Sequence, residues 1–270
     1  MRMKHLFFLS FLFTFTLSYI ANAQQRSCFS ADYLEQQKLE DPQRIKNLQE
    51  IERLTQEFIE RNGNGTPEAT VYTIPVVFHV VYNTAAQNIS TAQIESQMTV
   101  LNDDFRRLNA NQNNNWSQAA DIEIEFCLAT VDPDGNATDG ITRTSTNVSV
   151  FSGDEVKFTA QGGKDAWPAG DYLNFWVCAL DGFLGYAQFP GGPPATDGVV
   201  CDYRYTGTTG TATPPFNLGR TGTHEVGHWL NLYHIWGDGP CSQDDQVADT
   251  PTSDAPNYGC PNGHTSCGSV

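Results

Sequence analysis

The stretch TGTHEVGHWLNLYHIWG, residues 221–237, holds three of the chain's six histidines inside eleven residues. This cluster constrains the fold more than any other feature. His224 and His228 lie four residues apart, so on an α-helix they share a face one turn apart. Two imidazoles so placed can bind one zinc ion at about 2.0–2.1 Å each. Glu225 projects about 100° round the helix from His224, beside such a metal without having to bind it, and is available as a base. His234 sets a harder condition. A continuous helix would carry it about 15 Å along the axis from His224, too far to share an ion. The chain must therefore turn between His228 and His234. Glycine usually ends a helix at such a turn, because the turn needs a left-handed residue, and asparagine is the next most tolerant. Asn231 stands where the turn is needed. A chance cluster on an ordinary helix is the bland alternative, and a third histidine six residues after the second argues against it.

The remaining sequence says where such a site operates. With 15 Lys+Arg against 31 Asp+Glu in 270 residues, nucleic acid is excluded as the expected partner. The N-terminus reads MRMKH, then the fifteen-residue apolar run LFFLSFLFTFTLSYI, then ANA. That is a secretory signal, residues 1–23, with cleavage expected after Ala23. The run is short for a bilayer span, and no second run of spanning length occurs. Secretion, with no membrane contact once the signal is removed, is the expectation. Seven cysteines in an exported chain point to disulfides and leave one over, free for chemistry or paired beyond the last residue.

Residues 24–69 differ from the rest of the chain. Ile45, Leu48, Ile51, Leu54 and Phe58 recur at helical spacing among charged residues, and the turn-rich NGNGTPEAT closes the helix. The layout suits a detachable pro-segment; a helix packed permanently on the domain is the alternative. TIPVVFHVVYN is apolar on both faces, as an interior strand is, and its His79 reads as a hydrogen-bonded core histidine. In STAQIESQMTVLNDDFRRLN, Ser90 and Gln93 form a capping-box pattern, and Ile94, Met98, Leu101, Phe105 and Leu108 mark one helical face. DIEIEFCLATVD alternates as a half-exposed strand, and DYLNFWVCAL and DGVVCDYRY supply two more. GFLGYAQFPGGPPATDG reads as an edge or loop, and TGTTGTATPPFNLGRTGT as a pliable link into the histidine cluster. Strand, helix, several strands and a late helix make an α/β mixed sheet.

HEVGHWLNLYH resembles the zinc motif of the metzincin metallopeptidases, H-E-x-x-H-x-x-G-x-x-H, with Asn231 in the glycine position. The surrounding wording, including DTP, GCPNGHTSC and the strand IPVVFHVVY, is similar to the pappalysin branch and its cytophagalysin-like members. The resemblance spans roughly residues 70–270. It implies a metzincin-like mixed twisted sheet with a long helix and an active-site helix, preceded by the helical pro-segment. It also implies a secreted zinc metalloendopeptidase acting on proteins or peptides. One catalytic Zn²⁺ would be held by His224, His228 and His234, with Glu225 as general base and then acid. LGYAQFP resembles the edge strand of the metzincin cleft, though a plain surface hairpin reads equally well. Cys28, in RSCFS, is either a zymogen zinc ligand that displaces the catalytic water or half of a disulfide. Activation would then fall near Arg61 to Thr70.

The resemblance further suggests a Cys241–Cys267 disulfide and a bond from Cys260 to a cysteine beyond Val270. It suggests a structural Ca²⁺ site at Asp245 and Thr250 with Asp249 a neighbour, against solvated turn residues as the alternative. Metzincins carry a methionine turn after the zinc motif. The methionines here are Met1, Met3 and Met98, so truncation ahead of that turn is expected. The rival reading is an inactive truncated copy, or a zinc-stabilised binding or adhesion module. Glu225 argues against a purely structural site, which has no use for a base.

Overall fold

The computed structural model describes residues 27–62, 70–112, 114–258, 263 and 265–267. The expected signal segment, most of the expected activation stretch, Cys260 and His264 lie outside these residues. The described strands are β1 (Ser27–Cys28), β2 (Tyr72–Tyr82), β3 (Ile124–Leu128), β4 (Ile141–Ser145), β5 (Leu173–Cys178), β6 (Phe183–Ala187) and β7 (Val199–Asp202). The helices are α1 (Ser30–Glu40), α2 (Gln43–Asn62), α3 (Thr91–Phe105) and α4 (Arg220–Trp229).

β2 is the spine of a single sheet ordered β1-β6-β7-β5-β2-β3. Its first half pairs with β3 and its second half with β4 on one side, while β5 pairs along the other, all parallel. A strand covered on both faces must be apolar throughout, and Val76, Val77, Phe78, Val80 and Val81 are buried. Beyond β5 come parallel β7 and then antiparallel β6, the reversal that leaves β6 near the rim. Alternation along the strands builds two cores. Phe78, Phe175, Val199 and Ala187 face Ile94, Leu101 and Val226 of α3 and α4. Val81, Trp176, Val200 and Tyr186 face the opposite way, against Phe151, Val156 and Tyr33.

His79 sits in this sheet as a satisfied core residue. The Asn174 amide is oriented by the backbone of Trp167, whose N–H it accepts at 2.7 Å and whose carbonyl it donates to at 3.0 Å. Its oxygen therefore accepts from His79 Nε2 (3.0 Å), and His79 Nδ1 accepts from the Thr142 hydroxyl (2.8 Å). Burial lowers the His79 pKa to about 4.

Three expectations shift in detail. Ser90 caps α3, accepting from Gln93 N at 3.2 Å, but the Gln93 amide reaches Tyr203 O and Thr206 O instead of closing a capping box. The helix stops at Phe105 and Arg107 turns left-handed (φ 51°), so Leu108 leaves the buried face and is 69% exposed. α2 forms as its periodicity predicts, yet Ile45, Leu54 and Phe58 stay exposed. It docks with Leu48 and Ile51 half-buried, Ile51 against Gly191, and with polar groups: buried Arg44 donates to the Phe189 and Pro190 carbonyls, and Asn47 donates to Gly191 O at 2.9 Å.

Candidate metal centre

α4 is set by its neighbour α3. Gln97 donates to Gly219 O at 2.9 Å, Asp104 accepts from the Thr223 hydroxyl at 2.7 Å, and Arg220 pairs with Asp104 at 3.1 Å. A Cβ at Gly222 would meet the Gln97 amide at 2.6 Å, so a larger residue there would displace the side chain that holds Gly219 O. Helix α4 then ends in a paired-hydrogen-bond reversal. Asn231 adopts φ 75°, its N–H reaches His228 O at 2.9 Å, and Leu232 N–H reaches Gly227 O at 2.9 Å. This is the Schellman arrangement with asparagine in the left-handed position. The chain folds back at the residue the sequence singled out.

The reversal returns His234 to the other two histidines. The Nε2 of His224 is 3.1 Å from that of His228 and 3.1 Å from that of His234, and the last pair is 3.2 Å apart. These contacts are not ordinary hydrogen bonds. His228 Nδ1 lies 2.6 Å from Leu232 O and must donate to it; His234 Nδ1 lies 2.5 Å from Asp238 Oδ1 and donates there. Both Nε2 atoms are thereby left as bare lone pairs. Lone pairs that converge so closely call for a cation. On a tetrahedral zinc with bonds of about 2.1 Å, neighbouring donors stand about 3.4 Å apart, so the donor set fits. His228 is buried between Phe189 and the other imidazoles, which lowers its pKa to about 3 and keeps it in the neutral, ligating form. Trp236 stacks on His234 at 4.2 Å, while His224 keeps an exposed edge. A cavity of about 360 Å³ opens beside the cluster, lined by Thr223, Leu232, Tyr233, Ile235 and Trp236 among others.

Glu225 is 1% exposed, and burial pushes its carboxyl up to about 8. Two groups from the N-terminal segment hold it. Ser30 Oγ donates to Glu225 Oε2 at 2.7 Å while accepting from Ala187 N at 2.8 Å, and Cys28 Sγ lies 3.5 Å from the same carboxylate oxygen. Cys28 Sγ and the three histidine nitrogens all fall within 4.8 Å of one another. The segment is laid down as a strand: β1 pairs parallel with β6, and Phe29 N donates to Gly185 O at 3.0 Å. Glycine is required at 185, because a Cβ would stand 2.7 Å from Val200 O and 3.1 Å from Glu225 Cγ.

The other expected residues lie apart from this centre. Cys241 and Cys267 are joined as a disulfide, and Cys28, Cys127, Cys178 and Cys201 are free thiols. Asp245 Oδ1 accepts from Val247 N at 3.0 Å. Asp249 and Thr250 line a separate cavity with Trp116 and Ile235. Among the described residues, the group of three or more His, Cys, Asp or Glu ligand atoms that converges is the Cys28–His224–His228–His234 set. Ser30, Asp238, Phe189 and Trp236 were not signalled by the sequence.

Residues 157–269 match the peptidase family M43, pregnancy-associated plasma protein-A. Mature mirolysin of Tannerella forsythia, solved in complex with a cleaved peptide, is 54% identical over 76% of this chain and 80% of its own, with a TM-score of 0.71. This chain belongs to that peptidase family. A promirolysin mutant from the same organism is 48% identical over 88% of this chain and 80% of its own, with a TM-score of 0.77. An extracellular metalloprotease of Verticillium alfalfae is 35% identical over 76% of this chain. The chain spans 66% of that relative, just under two thirds of its length. The mixed, mostly parallel sheet with its one antiparallel pairing, β6 on β7, is the metzincin-type fold of these neighbours.

Proposed function

We propose that this chain is an exported zinc-dependent metalloendopeptidase made in a latent form. His224, His228 and His234 hold one catalytic zinc, and Glu225 is the general base and then the general acid. The observation that carries this reading is the convergence of three imidazole Nε2 atoms within 3.2 Å, with a buried carboxylate on the adjoining face of the same helix. When bound, zinc supplies a Lewis acid that polarises the scissile carbonyl and brings bound water towards a pKa of about 7. The protein's own groups do the rest. Leu232 O and Asp238 hold the tautomers that present Nε2. Glu225 Oε2 takes the proton of the attacking water and delivers it to the departing amine. The edge of β6 now paired with β1 offers backbone donors and acceptors for a peptide laid alongside it as an added strand. The peptide bound in the mirolysin neighbour and the extracellular naming of the fungal relatives support peptide substrates and an exported enzyme.

Residues 24–69 act in this proposal as the pro-segment of the catalytic domain 70–270. Cys28 supplies a thiolate as the fourth zinc ligand, and Ser30 occupies Glu225. The zinc reading does not depend on a calcium role at Asp245, Asp249 and Thr250, where Asp245 Oδ1 accepts from Val247 N. The test measures zinc content and peptide turnover before and after cleavage within 61–70. One zinc per chain and a large rise in turnover on cleavage are expected, with Cys28→Ala raising activity in the uncleaved chain. Glu225→Gln protein that keeps its zinc yet cuts peptides at the parental rate contradicts the assignment.

A further inference from the structure

On the sheet face away from the metal centre, Tyr33 of α1 fills a pocket built from Asp154, Lys157, Tyr186 and Thr196, whose carbonyl accepts from Lys157 Nζ at 2.8 Å. Its hydroxyl donates to Asp154 Oδ2 at 2.6 Å. Asp154 Oδ1 accepts from the Tyr186 hydroxyl at 3.1 Å and pairs with Lys157 Nζ at 2.9 Å. The ammonium of fully buried Lys157 lies 4.9 Å from the Tyr33 ring centre and 4.8 Å from that of Tyr186, and reaches the Tyr33 oxygen at 3.5 Å. The two tyrosine rings meet edge to face at 5.1 Å. Burying the Lys157 ammonium is costly, and its half-buried partner Asp154 offsets that cost on a face away from the metal-centre groups. Its geometry is that of a receptor for a phenol: a carboxylate to accept from the hydroxyl, an ammonium to donate to it, and a cation–aromatic wall for the ring.

We infer that this pocket is a recognition site for a tyrosine side chain of polypeptide bound along β6, with Tyr33 holding it in the latent chain. The inference rests on the pro-segment reading, since the pocket opens when α1 leaves. A strand added to the edge of β6 projects alternate side chains towards opposite faces of the sheet. Those directed away from Glu225 pass over Phe183 and Tyr186, where Phe29 now stacks on Phe183 at 4.8 Å. The Asp154–Lys157 pocket lies on that face. A site that hydrogen-bonds a hydroxyl discriminates strongly against the analogue lacking it.

The first test needs no proteolysis. Full-length Tyr33→Ala protein vacates the pocket and is titrated with N-acetyl-tyrosinamide and N-acetyl-phenylalaninamide by ligand-observed NMR. The tyrosine probe binds the variant and not the parent, and binds at least tenfold more tightly than the phenylalanine probe. Adding Asp154→Asn reduces that preference below twofold. Equal binding of the two probes, or equal binding to parent and variant, overturns the inference. Should Tyr33→Ala not fold, the conservative cycle of Tyr33→Phe with Asp154→Asn is read by thermal melting. Non-additive shifts in Tm are expected, and additive ones overturn the inference. The second test compares peptide pairs that differ only as Tyr or Phe, using chain cleaved within 61–70. A tenfold preference for tyrosine at one position, lost in Asp154→Asn, is expected. Activated enzyme without such a position overturns the substrate role. Cleavage that releases no activity counts against the pro-segment reading and leaves the probe titration to stand by itself.

Discussion

Replacing Asp238 tests how the third histidine is held. His234 reaches the cluster only because the chain reverses at Asn231, and its ring is fixed by two contacts: the face-on Trp236 and the 2.5 Å hydrogen bond from Nδ1 to Asp238 Oδ1. A carboxylate on the far nitrogen of a metal-ligating imidazole sets its tautomer and raises its basicity, and its loss lowers metal affinity by about 10–100-fold. That range corresponds to about 1.4–2.7 kcal/mol. Asp238 has φ 55°, a conformation asparagine tolerates and alanine does not. Asp238→Asn therefore preserves the backbone and a neutral acceptor while removing the charge. Charge-assisted bonds are roughly twice as strong as neutral ones, so Asn should fall near the tenfold end of the range. Asp238→Ala loses the acceptor altogether and adds backbone strain at φ 55°, so it should lie at the hundredfold end or beyond. Competition for zinc against a fluorescent chelator, on full-length protein with melting curves recorded alongside, reads both. Affinities within twofold of the parent for both variants would refute the role given to Asp238.

Three further outcomes are expected. His79 is held neutral with a pKa of about 4, below the unfolded value of about 6.5, so the unfolded chain takes up its proton first as pH falls. Its contribution is complete above about pH 6.5 and is lost as pH drops towards 4, by up to about 3 kcal/mol. Denaturant unfolding across that range should show a shallower pH slope in His79→Gln than in the parent, and identical slopes would count against it. Asn231→Gly should stay within about 0.5 kcal/mol of the parent, whereas Asn231→Val should cost about 1–2 kcal/mol and lower zinc affinity, because φ is 75° there. Equal melting temperatures would contradict this. Gly185→Ala places a methyl 2.7 Å from the Val200 carbonyl and against Glu225, so kcat/KM of the cleaved protein should fall at least tenfold; an unchanged value would show that β6 can yield.

How much the sequence revealed depends on how local each determinant is. The reversal at Asn231 was legible because one backbone conformation, demanded by histidine spacing, admits few residue types. β2 was legible because burial on both faces writes an unbroken apolar run. α1 was not: SADYLEQQKLE has no apolar stripe, and it is held by Tyr33 and Ser30 reaching groups more than a hundred residues away. β4, ITRTS, is a short polar strand whose place is set by pairing with β2, and β6 is hidden among glycines and prolines that also suit a loop. Leu108 kept to the helical period past the point where Arg107 ends the helix. Ser30 and Asp238 escaped notice for the same reason as α1: each acts through tertiary apposition, which no short motif encodes.

The most direct measurement is a zinc K-edge X-ray absorption spectrum of the full-length chain, repeated after cleavage within 61–70. Three imidazole nitrogens at about 2.0–2.1 Å and one sulfur at about 2.3 Å are expected before cleavage, with the sulfur replaced by a light atom afterwards. A spectrum with fewer than three imidazoles around the ion would contradict the convergence of His224, His228 and His234 on a single metal.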